Sequence, residues 1–120
     1  MVQDLKTPAA AASRRALVTG ANGFVGTALC AALLQQNWDV RRALHTGVSP
    51  GSVDDIVVGD IGAQTDWRSA LSGVDVVIHL AARTHVMRDG AGEPLAEYRR
   101  LNVDGTRALA QAACAAGVRR

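Results

Sequence analysis

The chain is poor in several things at once, and each shortage removes a class of protein. It has two cysteines in 120 residues. Cys30 and Cys114 lie far apart, without the spacing of a metal or redox pair, which excludes a disulfide-dense secreted scaffold. No stretch approaches the roughly 18 consecutive apolar residues of a membrane span, and the opening "MVQDLKTPAAAASRR" lacks the apolar core of a signal peptide. A soluble protein of the reducing cytoplasm, without membrane contact, is the expectation. Aromatic residues are scarce, with one Phe, one Tyr and two Trp, and the formal net charge is only +2. No large field attracts nucleic acid or anionic lipid. Four arginine pairs, Arg14-Arg15, Arg41-Arg42, Arg99-Arg100 and Arg119-Arg120, are scattered without interleaved aromatics and read as solvated edges rather than a nucleic-acid surface. His79 and His85 have no ligand partner at suitable spacing, so no metal site is expected.

What is present is an alternation. Residues 1–13 show neither a 2.0 nor a 3.6 period and read as a flexible leader. From Arg14 onward, strand-length apolar runs at 16–19, 40–45, 55–58 and 74–81 alternate with helical patterns at 24–36, 66–71 and 94–116. That is the signature of βαβ units, hence an α/β protein with a doubly wound parallel sheet of about four strands. The run "VDVVIHLA" (74–81) is almost continuously apolar and is expected centrally in the sheet, covered on both faces. Trp38 and Trp67 read as packing residues. Gly117 suits the end of the last helix, and Val118 looks like the first residue of a further strand.

The segment "TGANGFVG" (19–26) follows the first strand and opens the first helix. Glycine-rich turns in that place present free backbone N–H groups at the positive end of a helix dipole, where a phosphate can bind. Gly20 allows the tight turn, Gly23 admits a pyrophosphate to the backbone, and Gly26 lets helix and strand pack closely. The spacing is G-x-x-G-x-x-G rather than G-x-G-x-x-G, so the glycines alone also fit a turn with no ligand.

Four motifs in order, "TGANGFVGTAL", "VVGDI" (57–61), "VIHLAAR" (77–83) and "NVDGT" (102–106), resemble those of the extended short-chain dehydrogenase/reductase family. Within it, the likeness is to nucleotide-sugar epimerases, dehydratases and 4-reductases. The resemblance covers residues 14–120 and implies the amino-terminal half of a Rossmann-type sheet. It implies that Gly20, Asn22, Gly23, Phe24, Val25 and Gly26 surround a cofactor pyrophosphate. Asp60 would accept a hydrogen bond from the adenine amino group, with Ile61 beside the ring. Leu80, Ala81 and Ala82 would line the ribose and diphosphate path. Thr84 stands where relatives often carry a lysine that reaches the cofactor, and Asn102 matches an asparagine near the nicotinamide, with Thr106 holding that helix. Apart from the resemblance, Asp60 reads as a loop carboxylate and Asn102 as a helix-surface amide.

NAD-specific sites carry an acidic residue about 20 positions after the glycine turn, on the ribose 2′-hydroxyl. Here the place reads "VRRALHTG", with Leu44 at the expected acidic position and no Asp or Glu between Asp39 and Asp54. The cofactor is NAD or NADP, and the missing carboxylate tips the balance toward NADP, with positive charge from His45, Arg41 or Arg42. His45 is the best placed, because both arginines lie near the beginning of their strand; as a plain loop residue it would need no ligand.

Family chemistry uses a tyrosine with a lysine four positions later as general acid–base. The only tyrosine, Tyr98, is followed at that interval by Asn102, and the only lysine is Lys6. No catalytic residue is therefore assigned. The expectation is the cofactor portion of a longer enzyme acting on a nucleotide sugar, inactive alone, truncated before its catalytic part and leaving the fourth strand with a bare edge. A homodimer through helix 94–116 is also implied. The alternative is a non-catalytic dinucleotide-binding or redox-sensing interaction module.

Overall fold

The computed structural model describes residues 14–45, 51, 54–82 and 94–120; the leader over 1–13 lies outside them. Strand β1 (Arg15–Thr19) passes through the glycine turn into helix α1 (Phe24–Gln35). Strand β2 (Asp39–Leu44), the short β3 (Ile56–Val57), helix α2 (Arg68–Leu71) and β4 (Val76–His79) follow. Helix α3 (Pro94–Tyr98), a π-helical segment (Arg99–Gly105) and α4 (Thr106–Ala115) then form one helical run. The strands make a parallel sheet in the order β3-β2-β1-β4, the first half of the doubly wound order 3-2-1-4-5-6. The expected α/β class is the observed one.

Neighbouring residues of a strand point to opposite faces, and β1 shows what covers each face. Leu17 packs with Trp67, Leu71 and Leu109, from the α2 region and α4. Val18 packs with Cys30 of α1 and with Val40. Burial pushes the Cys30 thiol pKa up, as for a small apolar packing group.

Two expectations about the fourth strand need correction. It is not central: β4 is a border strand of the four, each residue half-buried, whereas Ala16–Thr19 of β1 are fully buried. An apolar run reports that helices cover a strand, and says little about its place in the order. Nor is its outer edge bare. Arg119 N–H donates to Asp75 O at 3.1 Å, and Val77 N–H donates to Arg120 O at 2.8 Å. Gly117, at φ +82, turns the chain from α4 so that Val118 leads into this pairing.

Both ends of the sheet are tied across strands. At the amino end, Arg15 N–H donates to Asp75 Oδ2 at 2.9 Å and Arg15 Nε donates to Asp39 Oδ2 at 2.8 Å. At the carboxyl end, the buried Thr19 Oγ1 accepts the N–H groups of Leu80 at 3.0 Å and Ala81 at 3.1 Å. With both lone pairs used, its proton goes to His79 Nδ1, 2.7 Å away. His79 is then the tautomer protonated on Nε2, which donates to Thr106 Oγ1 at 3.1 Å. One threonine thus fixes the ends of β1 and β4 and, through the imidazole, the start of α4.

Thr19→Val keeps the shape but strands the Ala81 N–H and His79 Nδ1. Urea unfolding should show a loss of about 2 kcal/mol, the cost of buried groups left without partners. Burial lowers the His79 pKa, so the unfolded chain takes up a proton that the folded chain refuses. This contribution is complete above the ordinary histidine value of about 6.5 and is lost as pH falls from there through the folded value. The drop in stability between pH 7 and pH 5 should therefore be smaller in His79→Gln than in the unaltered chain.

Candidate cofactor site

Gly20 ends β1 at φ +63, a left-handed conformation suited to glycine. A Cβ there would stand 2.8 Å from Ala81 N and 2.9 Å from Leu80 C, so the turn lies against the end of β4. Gly23 N–H donates to Gly20 O at 3.1 Å and closes the turn; Thr27 N–H donates to Gly23 O at 2.9 Å and opens α1. The N–H groups of Phe24, Val25 and Gly26 precede that bond and have no acceptor within the helix. No side chain caps the helix and no acidic residue occupies its first turn, so the positive end of its dipole is not neutralised from within. Helix α1 can start this close because Gly26 has no side chain: a Cβ would lie 2.1 Å from Gly20 O.

The turn faces a cleft of about 450 Å³. Gly20, Asn22 and Gly23 form one wall, Leu80, Ala81 and Ala82 the floor beside it, and His45, Asp60 and Ile61 the strand ends opposite. Those sequence-predicted residues, drawn from four places in the chain, meet here. Phe24 and Val25 do not line it; their side chains are 95% and 60% exposed, and only their backbone N–H groups belong to the helix start. Gly26 is buried beneath the turn. Asn102 is half-buried in the π-helical segment, outside the lining. Thr84 lies outside the described residues.

The two arginines considered for a 2′-phosphate are held elsewhere. Arg41 Nη1 donates to the carbonyls of Ser69 (3.3 Å), Ala70 (2.8 Å) and Ser72 (2.9 Å) at the end of α2. Arg42 makes a bidentate pair with Asp55, with Nε 2.7 Å from Oδ1 and Nη2 on Oδ2, and the Asp55 side chain is 1% exposed. Of the three residues considered there, His45 alone lines the cleft.

Sequence reasoning missed Arg100 and Leu101, which complete the lining from the π-helical segment. Arg100, read as half of a solvated pair, is bound to Glu97 Oε1 through Nε (3.3 Å) and Nη2 (2.8 Å). The segment reaches the loop after β3 through Gly105, where a Cβ would stand 2.7 Å from Ile61 Cγ2. Only the neighbourhood of the "NVDGT" motif hinted at this, because an i→i+5 turn leaves no mark in a 3.6-residue pattern.

Uncapped backbone donors, a turn kept open by glycine and small residues along the path suit a dinucleotide diphosphate. The cradle therefore fits the group that the motifs imply. Among the described residues no set of three or more His, Cys, Asp or Glu is arranged to hold a metal ion, and no helix is long and apolar enough to cross a membrane.

Comparison with known proteins agrees with this geometry. The chain is 44% identical over 105 residues to a UDP-glucose 4-epimerase of Vibrio cholerae, covering 87% of this chain and 32% of that protein. It is 38% identical over 112 residues to a 3-beta-hydroxysteroid dehydrogenase of Mycolicibacterium neoaurum, covering 88% and 30%. Among solved structures, MoeE5 in complex with UDP-glucose and NAD superposes with a TM-score of 0.69 at 34% identity, covering 87% of this chain and 33% of that one. A short-chain dehydrogenase/reductase superfamily protein of Agrobacterium tumefaciens with bound NAD gives 0.65 at 37%, covering 88% and 30%. The chain thus spans about a third of the length of these relatives. Residues 16–120 match the model of the NAD dependent epimerase/dehydratase family, and the chain belongs to that family.

Proposed function

We propose that residues 14–120 are the dinucleotide-binding portion of an NAD-dependent enzyme that acts on a nucleotide sugar by reversible hydride transfer. The observation that carries the reading is the convergence of the uncapped α1 start, the Gly20 turn, Asp60 and the Leu80–Ala82 segment on one cleft. The N–H groups at the start of α1 would hold the diphosphate, and Asp60 the adenine amino group. His45, at the end of β2, would lie beside the adenosine ribose. A bound nicotinamide supplies the hydride acceptor and donor; the residues of this chain bind and orient it. The substrate class rests on the epimerase relative and on a neighbour that binds UDP-glucose. A steroid dehydrogenase matching over much the same length supports placing the shared work of this portion in cofactor binding rather than in substrate choice.

NAD is the favoured dinucleotide. The missing acid after β2 would tolerate a 2′-phosphate, but Arg41 and Arg42 are committed elsewhere, Arg100 of the cleft is paired with Glu97, and neighbouring structures carry NAD. A homodimer contact through the helical run would cover Leu95 and Val103, now 58% and 46% exposed.

Isothermal titration of the chain should show NADH binding more tightly than NADPH, with no turnover of UDP-glucose by this chain alone. Absence of binding by either dinucleotide at millimolar concentration would sink the reading. Gly23→Val tests the site within an intact fold. Its φ of −82 and ψ of −177 admit a β-branched residue, and the nearest atom to an added Cβ is Gly20 O at 3.3 Å, a tight contact that the turn must relieve by a few tenths of an ångström. The added methyls block approach to the helix start, so affinity should fall at least about tenfold, as for one lost charge-assisted hydrogen bond, with the circular dichroism spectrum unchanged.

A further inference from the structure

We propose that Arg100 reads the edge of the adenine ring together with Asp60, an inference that rests on the cofactor reading above. The π-helical segment brings Arg100 to the loop after β3, where it lines the cofactor cleft on one side. It also lines a shallower hollow of about 440 Å³, with Asp60, Gln64 and Asp66, on the other. The residue stands as the wall between the two, at the Asp60 end of the cleft.

Its side chain is oriented by its own contacts. Nε and Nη2 are bound to Glu97 Oε1, which leaves the guanidinium plane anchored on the helix side. Nη1 points the other way and lies over Gly62, 3.6 Å from the place a Cβ of that residue would take. Asp60 lines the same two hollows as Arg100, so an acceptor and a donor belong to the same end of the cleft.

That pair is complementary to one edge of adenine. The exocyclic amino group donates, and the ring nitrogen next to it accepts. Asp60 can only accept and Arg100 can only donate at neutral pH. Guanine and hypoxanthine, which place a carbonyl oxygen where adenine has its amino group, would set that oxygen against the carboxylate. Arg100 is in this sense a specificity-determining residue, and Glu97 positions it.

The test is titration of the chain and of Arg100→Met with NADH and with ADP-ribose, which has the adenosine half but no nicotinamide. Methionine keeps the length of the stem and removes the donor. The expected result is an equal loss for both ligands of about tenfold, typical of a hydrogen bond to a charged group. The melting temperature should hardly move, since the Glu97 pair is surface-exposed. Arg100→Lys, which restores a donor of the same charge, should recover part of the affinity. Affinities within a factor of two of the unaltered chain, or a loss for NADH alone, would overturn the role of Arg100 while leaving the cofactor site standing. Failure of the unaltered chain to bind either ligand would overturn the site itself.

Discussion

The hydroxyl of Thr19 is the point on which the cleft is built. It is fully buried, bonds the backbone of Leu80 and Ala81, and fixes the tautomer of His79. In a parallel sheet the ladder stops where the strands stop, and the segments beyond would otherwise separate. Here one side chain carries the tie past the end of the ladder. Gly20 can then lie within contact of Ala81, and the glycine turn is seated against the end of β4. The same bonds reach α4 through His79 and Thr106, so the helix that brings Arg100 and Leu101 is referenced to the same point.

The charged residues divide by what they hold. Arg15 gathers the amino ends of β1, β2 and β4 through Asp39 and Asp75. Arg41 caps the carbonyls at the end of α2, and Arg42 is paired with the buried carboxylate of Asp55. These are structural uses, far from the cleft or turned away from it. A formal charge count in the sequence treats every arginine alike; the partners decide which remain at a ligand site. Arg41 and Arg42 are thereby withdrawn from the end of β2, where the sequence alone left both available to a ligand.

Much of the site was legible because its chemistry is backbone chemistry. Gly20 and Gly26 are readable in sequence since only glycine meets a left-handed φ at the one and an approach of this closeness at the other, and their spacing relative to a strand and a helix fixes where the helix start lies. Asp60, Ile61 and Leu80–Ala82 were legible only through the resemblance that the four motifs carry; by itself Asp60 reads as a loop carboxylate. The position of β4 was not legible in its apolar run, which measures cover on the faces and not rank in the sheet; only the resemblance left that strand at a border. Arg100 was not legible either. It belongs to a helical segment whose wide turn has no periodic signature, and its partner loop lies some forty residues earlier.

This division explains how one cofactor portion can serve relatives with different substrates. The cradle itself is nearly free of side chains, so it demands glycine and small residues and tolerates little change. Selectivity has to come from the few side chains at the rim: His45 beside the expected ribose, Asp60 and Arg100 beside the expected base. Each stands at the end of a different element, β2, β3 and the π-helical segment. A change at one alters what the cleft recognises without disturbing the Thr19 junction that holds it open. The Thr19 junction is buried and the three rim residues are exposed, so the two sets can vary independently.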